Sequence, residues 1–315
     1  MNVREQLLAL NDELRRLKSE GRRTVTISED NLDQLRQAVS AVTSVAGDTP
    51  AVRLPEAGAT AAARHEPAPA RVTQSAAPPA ARPVAPVYLS TPLPTTPPVV
   101  TLPPGDKATR WNALRELVLN HPVCRAHARP GKQVVLGVGD LDAGIFFCGE
   151  APGAEEEVQG EPFVGPAGQL LTRMIQGMGL KREQVYIGNI MNWRPEMPVG
   201  PGGEQIGNRA PSPEEMNFCL PFLRAQLEIV QPRLIVALGK TAAEGLLGQG
   251  TFKTLGEIRG RWHSFGALPL MVTYHPSYIL RNQSNSSKRM IWEDLLKVME
   301  RAGLPVSDKQ KKYFL

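Results

Sequence analysis

The sequence predicts an α/β fold in which a mainly parallel sheet is covered by helices on both faces. Two observations carry that expectation. Short apolar runs of strand length stand at residues 134–138, 145–148, 185–189, 234–238 and 268–273. Between and after them lie stretches with apolar residues at helical spacing, at 167–178, 213–229, 241–247 and 286–302. Alternation of this kind favours parallel strands joined by helical crossovers, so the C-terminal strand ends converge on one edge. Open sheets of this class bind ligands there.

Taken in order, the chain starts with Leu7, Leu10, Leu14 and Leu17 at three- and four-residue steps among charged residues, which places them on one helical stripe. A second short amphipathic helix follows Ser28, with Leu32, Leu35 and Val39. Helices this short cannot bury both stripes alone. The module at 1–45 is therefore expected either to self-associate or dock on a partner protein through the Leu7 to Leu17 stripe, or to fray. Residues 46–106 turn to Pro, Ala, Thr and Val and hold about half of the chain's 29 prolines. That composition lacks ladder donors and core periodicity, so a disordered tether is expected, with local docking of Val99, Val100 and Leu102 left open. Nearly all the long periodic segments fall within 107–304, beginning with Trp111, Leu114, Leu117 and Val118 on a helix that ends at Asn120-His121-Pro122. About 200 residues suffice for one well-buried core. A flexible tail is expected at 305–315, where Gln310, Lys311, Lys312, Tyr313 and Phe314 resemble a sliding-clamp-binding peptide. The alternative is a basic tail with its aromatics folded back onto the domain.

A formal net charge of +5 and a pI near 9.2 suit a polyanionic partner. Three widely spaced cysteines do not form a disulfide framework, so a reducing, cytoplasmic setting is expected. The sequence shows neither the apolar core of a signal peptide nor a run long enough to span a membrane.

Three turns, each following a predicted strand, hold the chemistry. The first is Gly149-Glu150-Ala151-Pro152-Gly153, followed by Glu155-Glu156-Glu157 and then Pro162-Phe163-Val164-Gly165. On its own the first five-residue turn suits either an active-site floor or an ordinary strand-to-helix turn. Phe163, held between Pro162 and Gly165, suits stacking on a planar ligand. The second turn leads through Arg194-Pro195 and a Gly/Pro-rich excursion to Asn208-Arg209-Ala210-Pro211, where an Asn amide offers the donor and acceptor that reading a base edge requires. The third is Tyr274-His275-Pro276-Ser277, in which an imidazole suits charge on a leaving group. Ile279 and Leu280 follow as an apolar wedge, and Arg281 as a phosphate ligand. A nucleotide-binding oxidoreductase or phosphatase is disfavoured, because the Gly-rich turn has neither G-x-G-x-x-G spacing nor a Gly-Lys-Ser/Thr.

Together these ordered motifs resemble the uracil-DNA glycosylase superfamily, and within it the family 4 type of bacteria and archaea, over residues 134–296. The resemblance implies a three-layer α/β/α fold with a short, mainly parallel central sheet. It also implies hydrolysis of uracil from DNA by base flipping. By similarity, the turn Gly149, Ala151, Pro152 and Gly153 walls the uracil pocket, Phe163 stacks on the base, Asn208 reads its amide edge and His275 stabilises the departing ring. Glu150 positions water or sugar, and Glu156 crowds the C5 methyl of thymine. Ser277, Arg281 and Arg209 grip the backbone while Ile279 and Leu280 fill the gap. The alternative is a catalytically weak binder of damaged DNA using the same pocket. Members of family 4 resemble each other in four cysteines that hold an iron–sulfur cluster. Here Cys219 matches one, Cys124 matches one of the first pair, and Trp193 stands at a third position. His121 or His127 is near enough to substitute, but two cysteines fall short of a cluster's usual ligand set. No cofactor is therefore expected, with Cys124 and Cys219 as remnants and Trp193 packing where metal would sit. Cys148, inside a strand, is expected to be a buried small hydrophobe.

Overall fold

The structure, a computed structural model, describes residues 92–199 and 204–315. The helical module expected at 1–45, and the tether up to residue 91, lie outside the described residues.

The order along the chain is α1 (Lys107–Asn120), α2 (Pro122–His127), β1 (Val138–Gly139), β2 (Ile145–Gly149), α3 (Glu156–Gln159), α4 (Pro166–Gly177), β3 (Tyr186–Asn189), α5 (Pro213–Val230), β4 (Leu234–Leu238), α6 (Lys240–Leu247), α7 (Leu255–Ile258), β5 (Trp262–Phe265), β6 (Leu268–Thr273), α8 (Pro276–Arg281), α9 (Asn285–Ala302) and α10 (Asp308–Lys311). The sheet order is β1-β3-β2-β4-β6-β5. The inner strands β3, β2, β4 and β6 are mutually parallel, and both edge strands run antiparallel to their neighbours.

Side-chain alternation along β2 splits the core into two layers. Phe146 and Cys148 face a cluster with Leu114 and Val118 of α1, Phe222 of α5 and Ala243 of α6. Ile145 and Phe147 face the other cluster, with Leu171 and Ile175 of α4 and Leu295 and Val298 of α9. Every residue of β2 and β4 is buried, as strands covered on both sides must be. The three-layer α/β/α arrangement follows, with Cys148 a fully buried hydrophobe.

Three expectations need correction. The apolar run at 134–138 is not a strand over its length. Val135 instead donates its N–H to Asn192 O at 2.7 Å and accepts from Asn192 Nδ2 at 3.0 Å, leaving only Val138 and Gly139 to pair with β3. The tether does not reach residue 106, because Leu93, Val100 and Leu102 pack on the α1/α5 side of the core. Prolines around them lack N–H groups and so need no ladder partners there. Residues 305–315 are held rather than free. Gln310 Nε2 donates to Gly177 O at 2.8 Å, Arg289 Nη1 donates to the carbonyls of Lys311 and Tyr313, and the Tyr313 ring lies 5.1 Å from that of Trp292. The glutamine and tyrosine of the clamp-like peptide thus face the domain. Among the described residues no helix is long and apolar enough to cross a membrane.

Candidate active site

Because the four inner strands are parallel, Gly149, Asn189, Gly239 and the segment after Thr273 end side by side. A cavity of about 720 Å³ opens at that edge. Phe163, Asn208 and His275, from three turns far apart in sequence, all line it, as do Glu150, Ala151, Pro152, Gly153, Glu156, Arg209, Ser277 and Arg281. Gly149, Ile279 and Leu280 are not among its lining residues.

Phe163 is fixed by its own loop. Its φ of 56° is left-handed, a region that non-glycine residues rarely occupy and that persists only when the surroundings impose it. The restraint comes from Glu156, whose Oε1 accepts from the N–H groups of Val164 at 3.0 Å and Gly165 at 2.9 Å, and whose Oε2 accepts from Gly153 N at 3.0 Å. Arg182 Nη2 adds a bond to Pro162 O at 2.7 Å. Glu156 therefore ties the first turn to the Phe163 turn, and both of its oxygens are engaged. Gly149 completes the seat: a Cβ there would come within 2.4 Å of the Phe163 ring and 2.4 Å of Asn189 Oδ1.

That contact exposes a residue that sequence reasoning passed over. Asn189 ends β3, is buried, and its Oδ1 has no hydrogen-bond partner among the described residues. A buried acceptor left open is costly unless a ligand completes it. Asn208, by contrast, has its Oδ1 occupied by Arg194 Nε at 2.8 Å.

His275 caps α8. Its Nδ1 accepts from Ser277 N–H at 3.2 Å and lies 2.9 Å from Ser277 Oγ. With Nδ1 an acceptor, the network assigns the proton of the neutral ring to Nε2. Burial, helped by the positive charge of Arg281, pushes its pKa down to about 4. The ring is neutral near pH 7 and lies 5.6 Å from the Phe163 ring. Glu150 moves the other way. Burial raises its pKa, opposed by a hydrogen bond from Thr241 and reinforced by Glu244.

Comparison with known proteins agrees with this geometry. The description "Uracil DNA glycosylase superfamily" matches residues 136–296. A type-4 uracil-DNA glycosylase of Thermotoga maritima is 44% identical over 52% of this chain and 80% of its own. The chain belongs to the uracil-DNA glycosylase superfamily, type 4. A type-4 uracil-DNA glycosylase of Pyrobaculum aerophilum is 38% identical over 53% of this chain and 83% of its own, and a type-5 uracil-DNA glycosylase of the same organism is 29% identical over 52% and 73%.

In this type-4 member the residues expected to meet DNA divide in two. Arg281 borders the cavity and Leu280 is exposed on α8. Ile279 is not a wedge. It points inward and is only 6% exposed, among the side chains of the α4/α9 layer, since adjacent residues of a helix face different ways. Arg209 is committed as well: it forks onto both oxygens of Glu215 at 2.7 Å and donates to Glu196 O and Ala210 O. Ser277 is occupied with His275 rather than free for a phosphate. Ile279→Ala should therefore lower unfolding free energy by about 2–5 kcal/mol, as core truncations do. Leu280→Ala should leave stability within about 0.5 kcal/mol and slow uracil release from duplex more than from single strands. Denaturant melts and paired assays check both, and equal stability losses would refute the division.

The residues at the place of the family's iron–sulfur cluster do not supply its ligands. Cys124 and Cys219 are both fully buried in one core cluster, and burial pushes the Cys124 thiol up to about 12 and raises that of Cys219 as well. Trp193, which offers no ligand atom, is fully buried and stacked on His127 at 5.0 Å and 14°. Among the described residues no group of three or more His, Cys, Asp or Glu is placed to hold a metal ion. Two thiols beside an indole do not fit a cluster that takes four ligands.

Proposed function

We propose that this chain removes uracil from DNA by hydrolysing the N-glycosidic bond of an extruded deoxyuridine, leaving an abasic site. The single observation that carries this reading is the buried, open Oδ1 of Asn189 directly beside the Phe163 ring, at the floor of the cavity that His275 lines.

A base inside a duplex is out of reach, so the nucleotide must swing out, at a cost of a few kcal/mol that is least for a mispaired or single-stranded uracil. In the cavity Phe163 offers its face to the ring, and the Asn189 amide suits the uracil edge: Oδ1 accepts from N3–H and Nδ2 donates to O4. As the glycosidic bond lengthens, negative charge gathers on uracil and positive charge on the sugar. His275 donates Nε2–H to the charge on the base, already oriented by Ser277 and with no proton transfer needed. Preorganised donation of this kind acts where charge develops. Glu150, near the sugar side, orders the attacking water and faces the oxocarbenium charge. Glu156 holds the wall beside C5 in place, where an extra methyl would press on a fastened loop. Leu280 fills the vacated stack and Arg281 takes a phosphate.

Incubating the full chain with a uracil-containing oligonucleotide, followed by alkali, should give scission at the uracil and none at thymine. Binding with every base intact would replace this reading with that of a damage-binding protein.

A further inference from the structure

We propose that an aromatic stack and a buried ion triad replace the iron–sulfur cluster in this chain. Trp193 on His127, and Glu157 shared by Arg129 and Arg194, hold the loop ends that present Asn208 and Arg209 to the cavity. The catalytic reading above supplies only one of the tests. The lock itself stands on geometry.

Aromatic rings pack at the place expected for metal. Trp193 has the His127 ring on one face and Phe218 at 5.9 Å, and Cys124 and Cys219 belong to the same packed cluster. The next residue converts that anchor into a placement. Arg194 is buried and spends its guanidinium in three directions: Nη1 on Glu157 Oε1 at 2.8 Å, Nε on Asn208 Oδ1 at 2.8 Å, and Nη2 on Gly207 O at 2.7 Å. Glu157 is only 3% exposed and also takes Arg129, just beyond α2, which carries Cys124 and His127. Segments that thiolates would otherwise draw together are thus joined through one carboxylate. Gln205 fastens the same loop, donating to Pro195 O at 3.0 Å and accepting from Met197 N at 3.1 Å, and the Arg209–Glu215 fork closes its far end.

Removing the Glu157 carboxylate leaves the buried Arg194 guanidinium without a counter-charge and Arg129 with only the exposed Glu204 at 4.0 Å. Because Arg194 Nε touches Asn208 itself, Glu157 and Trp193 are positioning residues for the cavity rim and not merely core.

The test uses the full chain as isolated. Iron and acid-labile sulfide should be far below one cluster per chain, and the visible absorbance of iron–sulfur proteins should be missing. Hydrogen exchange at 194–199 and 204–209 should quicken by about tenfold or more in Trp193→Ala and in Glu157→Gln, with the β2 and β4 amides unchanged, whereas Trp193→Phe should stay near wild type. In uracil release, Glu157→Gln should raise KM, and it should add nothing once Asn208→Ala is present. A stoichiometric cluster, unchanged loop exchange in Glu157→Gln, or effects of Glu157→Gln and Asn208→Ala that simply multiply would each overturn the proposal. Should the wild-type chain release no uracil, the catalytic reading fails, while iron content and exchange still decide the lock.

Discussion

Replacing His275 by alanine is expected to lower kcat for uracil release by about two to three orders of magnitude, the loss typical when one preorganised donor to a developing anion is removed. KM should change little, because the bond from Nε2–H strengthens only as charge builds on the ring. The neutral state of the imidazole gives the pH dependence a definite shape. Burial and Arg281 hold its pKa near about 4 in the folded chain, against 6.5 for an ordinary histidine. The kcat profile should therefore show no inflection from this ring near 6.5, and none should disappear in His275→Gln. The folded-state value lies below the unfolded one, so stability linked to this group is fully present above about 6.5 and is lost as the pH falls from there toward about 4. Protonation would also turn Nδ1 from acceptor to donor and break its bond from Ser277 N–H. A kcat inflection near 6.5 that vanishes in the His275 variants would mean that the charged ring does the work, and the mechanism above would be wrong.

How much of this was legible beforehand follows from where each signal resides. The inner strands and long helices announce themselves because burial on both faces leaves continuous apolar runs, and α5 begins at a readable Ser212/Glu215 capping box. β5 escaped notice because Trp262, His263, Ser264 and Phe265 form a partly exposed edge with no apolar run. Only the hairpin closed at Gly266, with φ 58°, reveals it. Phe163 and His275 could be picked out as residues in turns after strands. Ile279 and Leu280 could not be told apart, since sequence adjacency says nothing about which one a short helix turns inward. Arg209 looked like a phosphate ligand because a free and a clamped guanidinium read the same until Glu215 is placed beside it. In sequence Asn189 reads as no more than the end of a strand. Its signal was a polar residue closing an apolar run at the ligand edge, as informative as the turn residues that followed it.

That residue is the subject of the second large effect expected. Asn189→Ala should reduce kcat/KM for uracil release by about a hundredfold or more, since sites built to hydrogen-bond a substrate edge lose several kcal/mol when that bond cannot form. Two asparagines reach the cavity, and only one has its amide oxygen free to face the base. Asn208 sits in a long loop, and its Oδ1 is already occupied by Arg194, so Asn208→Ala removes a tether of the rim and should act mainly through KM. Asn189 is fixed at the end of a central parallel strand, with Gly149 giving its oxygen room and Phe163 beside it. A rigid, unsatisfied acceptor at that point discriminates because a ring without a matching N–H leaves it buried and open. The variant itself removes an oxygen that has no hydrogen-bond partner among the described residues, so its stability should match or slightly exceed wild type, which separates loss of recognition from loss of fold. Steady-state kinetics with thermal melts on both alanine variants decide the matter. If Asn208→Ala abolishes release while Asn189→Ala stays within a few-fold of wild type, the uracil edge is read from the loop and not from the strand.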